Sequence, residues 1–432
     1  MHVLSADWVL PVGDEPIPDG AIAIEGGEIA AVGSVDDLGE GERFPEAAIV
    51  PGFVNGHAHL EYAVYAGFGD GLPFERWLLL HIERKRRLAA EDDVAIARLG
   101  ALESLRSGIT TVADASFTGA GALACAEVGL RTIVYLEVFG EPGDFAEQWA
   151  GKRARVEGAL SDRVRVGVSP HAPYSASADL YAACLGLGLP VATHLAESQA
   201  EQEWLRAGTG AWEAFPARLP PHPGDTGIRL LARRGLLDPS LVAAHCVKVD
   251  EEEIELLARA DVAVVHCPRS NAFLGCGTAP LADLLRAGIR VGLGTDSPAS
   301  TPSFDMFDEM RAAIAAARAR AGRADALAAA DALELATLGS ARALGLADET
   351  GSLAPGKRAD LTVVSLAGSV YLPWEDAAAA VVFGGSPERV LRTLVDGEAR
   401  YRKGGFEWHE LRHAAARARG RMLGGQRVAQ KS

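Results

Sequence analysis

The chain of 432 residues is 48% hydrophobic, and its length suits a large α/β barrel with a small accessory domain better than one simple sandwich. A formal net charge of −16 leaves no excess positive charge to neutralise phosphates, which argues against nucleic acid or an anionic membrane as a partner. Five cysteines without a Cys-x-x-Cys pair, no apolar run of about 18 residues and no signal-peptide pattern predict a cytoplasmic protein with reduced thiols.

The two ends of the chain have similar sequence patterns. Residues 1–48 consist of short apolar runs separated by turns, and the pair Gly26-Gly27 between two such runs indicates a hairpin. Apolar runs of the same kind return in residues 350–406. We therefore expect one small β-sandwich domain built from both ends, followed by a basic helix and tail over residues 407–432.

Residues 49–349 alternate between short β-branched runs and stretches rich in alanine, leucine, arginine and glutamate, which indicate strands and helices in turn. Eight such β-then-α units predict a (β/α)8 barrel, the TIM-barrel class of α/β fold. Chemistry in these barrels takes place at the carboxyl ends of the strands, so the residues that end each run are candidates for a functional site. The runs are Ile49–Val54, Thr110–Ala113, Arg131–Val138, Val164–Val168, Val191–Thr193, Leu241–Ala244, Val262–Val265 and Arg290–Gly294.

The first candidates are His57 and His59, which follow the first run in a His-x-His pattern. Residues i and i+2 of a strand face the same side, so both imidazoles can point at one metal ion. A pair of strand histidines without a metal is the plainer alternative. Later strand ends favour the metal site, because they add further titratable side chains at the same barrel mouth: His171, His194, Glu197, His245, His266 and Asp296.

Four motifs carry a resemblance to a known family. They are Pro51-Gly52 with His57-x-His59 on strand one, Thr193-His194-x-x-Glu197 on strand five, Gly294-Thr295-Asp296 on strand eight, and the segment from Gly351 to Asp360 that leads back into the β domain. Together they resemble the amidohydrolase superfamily, in its mononuclear-metal branch of cytosine, guanine and S-adenosylhomocysteine deaminases and chlorotriazine hydrolases. The resemblance covers nearly the whole chain.

The resemblance implies one divalent metal ion, zinc or alternatively iron, with four protein ligands: His57, His59, His194 and Asp296. Three imidazoles and one carboxylate leave a coordination position for water. Relatives with two metals carry a bridging lysine at the end of strand four. The corresponding segment here, Val168–His171, contains no lysine, which favours a single metal.

The same resemblance implies a hydrolytic deaminase. Zinc lowers the pKa of a bound water from about 15.7 to roughly 7, which makes hydroxide available to attack the carbon that carries the amine. Glu197 would carry the water proton to a ring nitrogen, His245 would polarise the attacked carbon or hold the hydroxide, and Asp296 would help move a proton to the leaving amine. The alternatives are that Glu197 is only a helix-start carboxylate and His245 a core histidine.

Candidate substrate contacts come from the loops that follow the strands: Glu61, Trp77, Arg84, Arg86, His171, Ser270 and Asn271. Nucleoside deaminases of this branch carry a ribose-binding glutamate about nine residues beyond the position of Trp77, where this chain has Lys85-Arg86-Arg87. This difference favours an anionic group on a purine-like or nucleoside-like substrate. The His-x-His-Leu-Glu variant that ends in Glu61 resembles aminodeoxyfutalosine deaminases, so aminodeoxyfutalosine is one candidate substrate.

Two other classes stay open. A chlorotriazine or cyclic-amide hydrolase could use the same metal and Glu197, and a non-catalytic scaffold would need no metal. The expected partner is a small-molecule substrate, and a homo-oligomer stays open because the sequence does not reveal the oligomeric state. The segment His409–His413 matches the His-Glu-x-x-His zinc pattern, but no third ligand follows it, so no second zinc site is expected there.

Overall fold

The computed structural model describes residues 1–214, 219–369, 375–405 and 408–424. These ranges hold two sheets, whose strands together account for most of the apolar runs identified in the sequence. In chain order the strands are β1 His2–Val9, β2 Ile17–Glu25, β3 Glu28–Ser34, β4 Glu42–Pro51, β5 Phe53–Ala58, β6 Ile109–Ser116, β7 Arg131–Val138, β8 Val164–Pro170, β9 Val191–Leu195, β10 Leu241–His245, β11 Ala263–His266, β12 Val291–Leu293, β13 Leu361–Ser365, β14 Val390–Val395 and β15 Glu398–Arg402.

The helices of the same ranges lie mainly between the strands of the second sheet. Several of them begin at a side chain that accepts a backbone N–H of the first turn, such as Ser177, Ser198, Thr226 and Asp250. In chain order they are α1 Val35–Leu38, α2 Phe74–Lys85, α3 Ala90–Arg106, α4 Ala120–Val128, α5 Pro142–Val156, α6 Ala178–Leu185, α7 Gln199–Ala207, α8 Gly227–Arg233, α9 Glu251–Arg259, α10 Pro268–Phe273, α11 Leu281–Arg286, α12 Met306–Ala321, α13 Ala329–Glu334, α14 Ser340–Ala343, α15 Ala377–Gly384 and α16 His409–Met422.

Strands β5 to β12 form one parallel sheet in which each strand pairs with the next along the chain. The sheet closes on itself, because the backbone N–H of Asp296, just after β12, donates to the carbonyl of His57 on β5 at 2.9 Å. Helices separate consecutive strands and cover the outside of the sheet. The predicted (β/α)8 barrel is therefore confirmed, and the carboxyl ends of its strands meet at one mouth.

The other strands form a second, seven-stranded sheet in the order β15-β14-β13-β4-β1-β2-β3. Both ends of the chain contribute to it, which confirms the small β domain expected from the two termini. The expectation that Ile49–Val54 is one barrel strand is wrong. Residues up to Pro51 pair with β1 and β13 in the terminal sheet, and the barrel begins at Phe53.

Gly52 separates the two sheets for a steric reason. A Cβ atom at this position would lie 2.1 Å from the Oγ1 atom of Thr110 on β6, so no larger residue fits without displacing that strand. The Pro51-Gly52 pair therefore marks the point where the chain leaves one sheet and enters the other. An apolar run that reads as continuous in the sequence is divided by this close contact.

A buried ion pair joins the barrel to the terminal sheet. Arg131, the first residue of β7, donates from Nε to Asp360 at 2.7 Å and also contacts Asp396 in the turn after β14. Arg163, just before β8, binds the same Asp396 at 2.8 Å. The two carboxylates of the terminal sheet are thus held by arginines from the amino ends of two barrel strands.

The last described helix, α16, packs on α3 at the edge of the barrel mouth. The guanidinium of Arg419 lies 4.1 Å from the ring centre of Phe68 and donates to the carbonyl of Ala66 at 3.2 Å. Residues 406–407 and 425–432, and the side chains of His409 and Glu410, lie outside the described part of the chain, so the expected start and tail of this segment stay predictions. Among the residues described, no helix is both long enough and apolar enough to span a membrane.

Candidate metal centre and active-site cavity

Three histidines and one aspartate converge at the barrel mouth. His57 and His59 project from the end of β5, and His194 from β9, with the Nε2 atoms of His59 and His194 only 3.2 Å apart. The Oδ1 atom of Asp296 lies 3.5 Å from Nε2 of His59 and 3.9 Å from Nε2 of His57. All four side chains are buried. The structure thus brings together all four residues that the sequence proposes as metal ligands.

The outer ring nitrogens fix the protonation of these imidazoles. Nδ1 of His59 lies 2.8 Å from the carbonyl of Ala115, and Nδ1 of His194 lies 2.9 Å from the carbonyl of His171. A carbonyl can only accept, so Nδ1 carries the proton in both rings and the two Nε2 lone pairs face each other. Nε2 of His57 is buried and has no hydrogen-bond partner among the described residues. This donor set fits a divalent cation, which would relieve the facing lone pairs.

Asp296 is oriented by two hydroxyl groups. Its Oδ2 atom accepts from Ser270 at 2.6 Å and from Ser300 at 3.0 Å, which leaves Oδ1 turned toward the histidines. Burial opposes ionisation of this carboxyl group, but His59, His245 and the Ser270 hydroxyl outweigh burial and lower the pKa of Asp296. The aspartate is therefore held as a carboxylate, the form that binds a metal.

Glu197 and His245 form a second pair beside this cluster. Oε1 of Glu197 lies 3.7 Å from Nε2 of His245, and both side chains are buried. The amide of Asn271 donates to Nδ1 of His245 at 3.0 Å, so the neutral ring carries its proton on Nε2, the atom that faces Glu197. Burial, together with the charges of Asp296 and Glu201, raises the pKa of Glu197 well above its usual value. Its environment therefore favours the protonated form, so this carboxyl group is suited to take up a proton.

These groups line one cavity of about 460 Å³. The size lies within the range of pockets that bind small organic molecules. Polar groups of the cluster lie on one side, namely His59, His171, His194, Glu197, His245 and Asp296. The remaining wall is rich in aromatic side chains: Tyr62, Phe74, Trp77, Phe117, Phe139, Tyr174 and Trp212. The cavity is therefore suited to a flat aromatic heterocycle whose reactive edge meets the polar cluster.

Of the seven candidate substrate contacts, three line the cavity and four do not. Trp77, Arg86 and His171 line the cavity. Arg84 instead stacks on the ring of Phe68, with 3.8 Å between the guanidinium carbon and the ring centre. The other three do not line the cavity but support residues that do: Glu61, Ser270 and Asn271.

Glu61 is 1% exposed and fully engaged by the protein. Its carboxylate accepts from Nζ of Lys85 at 3.0 Å, from the hydroxyl of Ser116 and from the backbone N–H of Thr118 at 3.0 Å. Although burial opposes ionisation, Lys85 and these hydrogen bonds lower the pKa of Glu61 to about 2. The glutamate therefore holds Lys85, whose ammonium group lies 4.3 Å from the ring centre of Tyr62, in the cavity wall.

Sequence reasoning missed two charged residues of the cavity, Lys85 and Glu137. Glu137 is the second-last residue of β7, and no candidate residue was predicted from the sequence at the end of that strand. Its alternation with Tyr135 would have placed it on the inner face of the barrel. Lys85 stands in a run of four basic residues, and nothing local distinguishes Lys85 and Arg86, which line the cavity, from the other two.

Comparisons with known proteins agree with this geometry. The profile of the amidohydrolase family matches residues 48–400. A 5′-deoxyadenosine deaminase of Methanothermobacter thermautotrophicus is 33% identical over 403 residues, with 90% of each chain covered. A 5-methylthioadenosine/S-adenosylhomocysteine deaminase of Moorella thermoacetica is 34% identical over 407 residues, covering 90% of this chain and 91% of the relative.

Solved structures agree as well. A zinc-bound adenosine deaminase from Xanthomonas campestris superposes with a TM-score of 0.88 at 29% identity and covers 98% of both chains. A zinc-bound atrazine chlorohydrolase from Arthrobacter aurescens reaches a TM-score of 0.83 at 23% identity, covering 98% of this chain and 100% of the other, and shows the shared fold.

A closed (β/α)8 barrel with a cluster of histidines and an aspartate at its mouth that could hold a metal ion defines, with these relatives, a metal-dependent hydrolase that acts on carbon–nitrogen bonds other than peptide bonds. The chain belongs to the amidohydrolase family. The resemblance identified in the sequence is confirmed. The expectation of a divalent metal cofactor is confirmed too, because the donor set fits one and zinc is present in the related adenosine deaminase.

Proposed function

We propose that this protein is a metal-dependent aminohydrolase that removes the exocyclic amine of an adenine-type nucleoside and releases ammonia. The observation that carries the proposal is the proximity of Glu197 and His245 to the metal-ligand cluster, within one aromatic cavity. Two relatives of about one-third identity are named as deaminases of adenine nucleosides or their thioethers, which supports the same chemistry here. A cytoplasmic location and a homo-oligomeric state stay predictions.

His57, His59, His194 and Asp296 are the proposed ligands of a single divalent ion. Bound there, such an ion supplies Lewis-acid activation of water at neutral pH. The protein contributes the orientation of its ligands through the carbonyls behind His59 and His194 and the hydroxyls behind Asp296. These contacts fix which ring nitrogen and which carboxylate oxygen point inward.

Glu197 is the proposed proton carrier of the reaction. Its raised pKa lets the carboxylate accept a proton from the attacking water and return it, as a carboxylic acid, to a ring nitrogen of the substrate. His245 presents its Nε2–H to the same space and donates a hydrogen bond to the oxygen that attacks the ring carbon. Asp296 accepts the remaining proton of the attacking oxygen and passes it to the amine, whose bond to the ring carbon then breaks to release ammonia.

The rest of the cavity suits the body of a nucleoside. Aromatic side chains such as Phe117, Phe139 and Tyr174 provide faces against which a purine or its substituent can stack. Arg86 adds a cationic side chain to the wall, whereas the charge of Lys85 is already balanced by Glu61. A substrate whose 5′ substituent carries a carboxylate, as aminodeoxyfutalosine does, is therefore favoured over one with a neutral substituent.

The test is ammonia release by zinc-loaded protein from adenosine, 5′-deoxyadenosine, 5′-methylthioadenosine, S-adenosylhomocysteine and aminodeoxyfutalosine. Glu197→Gln keeps the size of the side chain but cannot carry the proton, so we expect kcat to fall by about 10²- to 10⁴-fold with unchanged metal content. Glu203→Gln, an exposed residue on the same helix, is the matched control. Release of chloride from a chlorotriazine, with no ammonia from any nucleoside, would overturn the proposal.

A further inference from the structure

Glu137 is a buried carboxylate with no assigned task. It is 3% exposed, lies at the end of β7 and lines the cavity. Lys152 is close, but its ammonium group donates to the backbone carbonyl of Glu137. Among the described residues, no backbone or side-chain group donates a hydrogen bond to the Glu137 carboxylate. A buried carboxylate without a donor is unfavourable unless a ligand supplies one.

His171 presents a second acceptor next to this carboxylate. The hydroxyl of Ser175 donates to the carbonyl of Ala172 at 3.2 Å, so its oxygen accepts the Nδ1–H of His171 at 2.6 Å. With its proton on Nδ1, the ring carries its lone pair on Nε2. A carboxylate oxygen of Glu137 and a ring nitrogen of His171 lie within 4.8 Å of each other. This part of the wall therefore offers two acceptors.

The other carboxylates of the cavity are already engaged. Asp296 faces the histidine cluster, and Glu197 faces His245. Helix α2, which covers the cavity, contributes Trp77, His81 and Lys85 among other residues, but no carboxylate. Among the described residues that line the cavity, Glu137 is thus the acidic group left to bind a substrate.

We propose that Glu137, together with His171, binds the vicinal 2′- and 3′-hydroxyls of the substrate's ribose. The inference rests on the proposed function, in which the substrate is an adenine nucleoside. A diol offers two hydrogen-bond donors, which complement a buried carboxylate with a neighbouring acceptor. Phe117 and Phe139 line the same cavity and give the sugar apolar neighbours. Glu137 therefore determines specificity for ribonucleosides and takes no part in the chemical step.

A metal ion is the other ligand that this cluster of side chains suggests, because His194 also lies within 4.8 Å. However, Nε2 of His194 already faces His59 at 3.2 Å, and its Nδ1 donates to the carbonyl of His171. Only Glu137 and His171 would remain as ligands for a second ion. Two ligands are too few for a dedicated zinc site, which uses at least three.

The proposal can be tested by binding, without turnover, in the zinc-loaded Glu197→Gln protein. The ligands are adenosine and 2′,3′-dideoxyadenosine, measured by isothermal titration calorimetry. We expect adenosine to bind about 10- to 100-fold more tightly, and Glu137→Gln to remove most of that preference by weakening adenosine alone. Glu141→Gln, an exposed residue three positions beyond β7, is the matched control and should change neither affinity.

Three results would overturn the proposal: equal affinity for both nucleosides, equal weakening of both by Glu137→Gln, or loss of zinc from that variant. Failure of the proposed function gives a different result. If the wild-type protein prefers adenosine and Glu137→Gln removes the preference, but no ammonia is released, the sugar site stands and the deaminase proposal fails. If ammonia is released from both nucleosides with the same KM, the reverse holds. If neither nucleoside binds, the sugar site is contradicted, and ammonia release from the other nucleosides then decides the deaminase proposal separately.

Discussion

Single hydrogen bonds decide what each imidazole at the barrel mouth can do. Carbonyl oxygens behind His59 and His194 keep the protons on Nδ1, and the two rings are thereby prepared as metal ligands. The amide of Asn271 has the opposite effect on His245, because it donates to Nδ1 and leaves the proton on Nε2. Histidine is thus a proposed metal ligand in two places and a proposed hydrogen-bond donor in the third.

The hydroxyl of Ser270 should matter in the same way for Asp296. Ser270→Ala removes the 2.6 Å hydrogen bond to Oδ2, so the carboxylate loses both orientation and ionic stabilisation. We expect zinc affinity to fall by about 10- to 100-fold, measured by competition with a chelating dye. Ser300→Ala, which removes the longer 3.0 Å bond, should have a smaller effect. If Ser270→Ala lowers the Tm of zinc-loaded and zinc-free protein equally, the residue serves only packing.

How far the site can be predicted from the sequence depends on how local each signal is. His57 and His59 are recognisable because two residues on one strand share a face, whatever the rest of the fold does. Glu137 is a different case, since an isolated glutamate at a strand end matches no motif. The task of Ser270 and Asn271 was equally hidden, because support of Asp296 or His245 depends on which loops meet in space.

At the scale of elements, the barrel strands were predictable because β-branched runs alternate with helical stretches. The exception is the apolar run that contains Gly52, which belongs to two sheets. The close contact between Gly52 and Thr110, which explains why the run divides there, is visible only in the structure. Helix α2 was foreseeable as a helix, but not its orientation. Tertiary packing gives its basic residues different environments. The guanidinium of Arg84 stacks on the ring of Phe68, whereas Arg86, just after the helix, lines the cavity.

The first turn of α7 contains a buried carboxyl group, that of Glu201, whose protonation should make the stability of the protein depend on pH. Backbone N–H groups of Ala196 and Glu197 donate to the two carboxylate oxygens of Glu201 at 2.9 and 2.7 Å. Burial nevertheless dominates and raises the pKa of Glu201 to about 7. The folded protein therefore retains a proton at this turn over a pH range in which the unfolded chain has lost it.

This shift predicts a specific slope of stability against pH. Between pH 4.5 and about 7, only the folded state binds the Glu201 proton, so the free energy of unfolding falls by about 1.4 kcal/mol per pH unit as the pH rises. Glu201→Gln mimics the protonated form and should flatten this slope. The difference in free energy of unfolding between variant and wild type should therefore change by about 3 kcal/mol over the whole range. Urea denaturation at several pH values measures it, with exposed Glu203→Gln as control. Parallel curves for Glu201→Gln and wild type would contradict the assignment.

At the scale of the whole molecule, the terminal sheet is attached to the barrel through charges at the end opposite the cavity. Arg131 and Arg163 lie at the amino ends of barrel strands, whereas the metal cluster lies at their carboxyl ends. Stability and chemistry are thereby separated, as is usual in barrels of this type. A change at this junction should alter unfolding without altering the cavity.

Removal of the buried arginine tests that separation. Arg131→Met leaves Asp360 buried without its partner, and we expect a loss of about 3 to 5 kcal/mol in the free energy of unfolding. Arg165→Met, which breaks a partly exposed pair with Glu349 at the same end of the barrel, should cost at most about 1 kcal/mol. In the double variant Arg131→Met/Asp360→Leu, no uncompensated charge remains, so part of the loss should be recovered. Guanidinium denaturation measures all three, and zinc content should equal that of the wild type throughout. If zinc is lost from folded Arg131→Met, the junction and the metal centre are coupled, contrary to this separation.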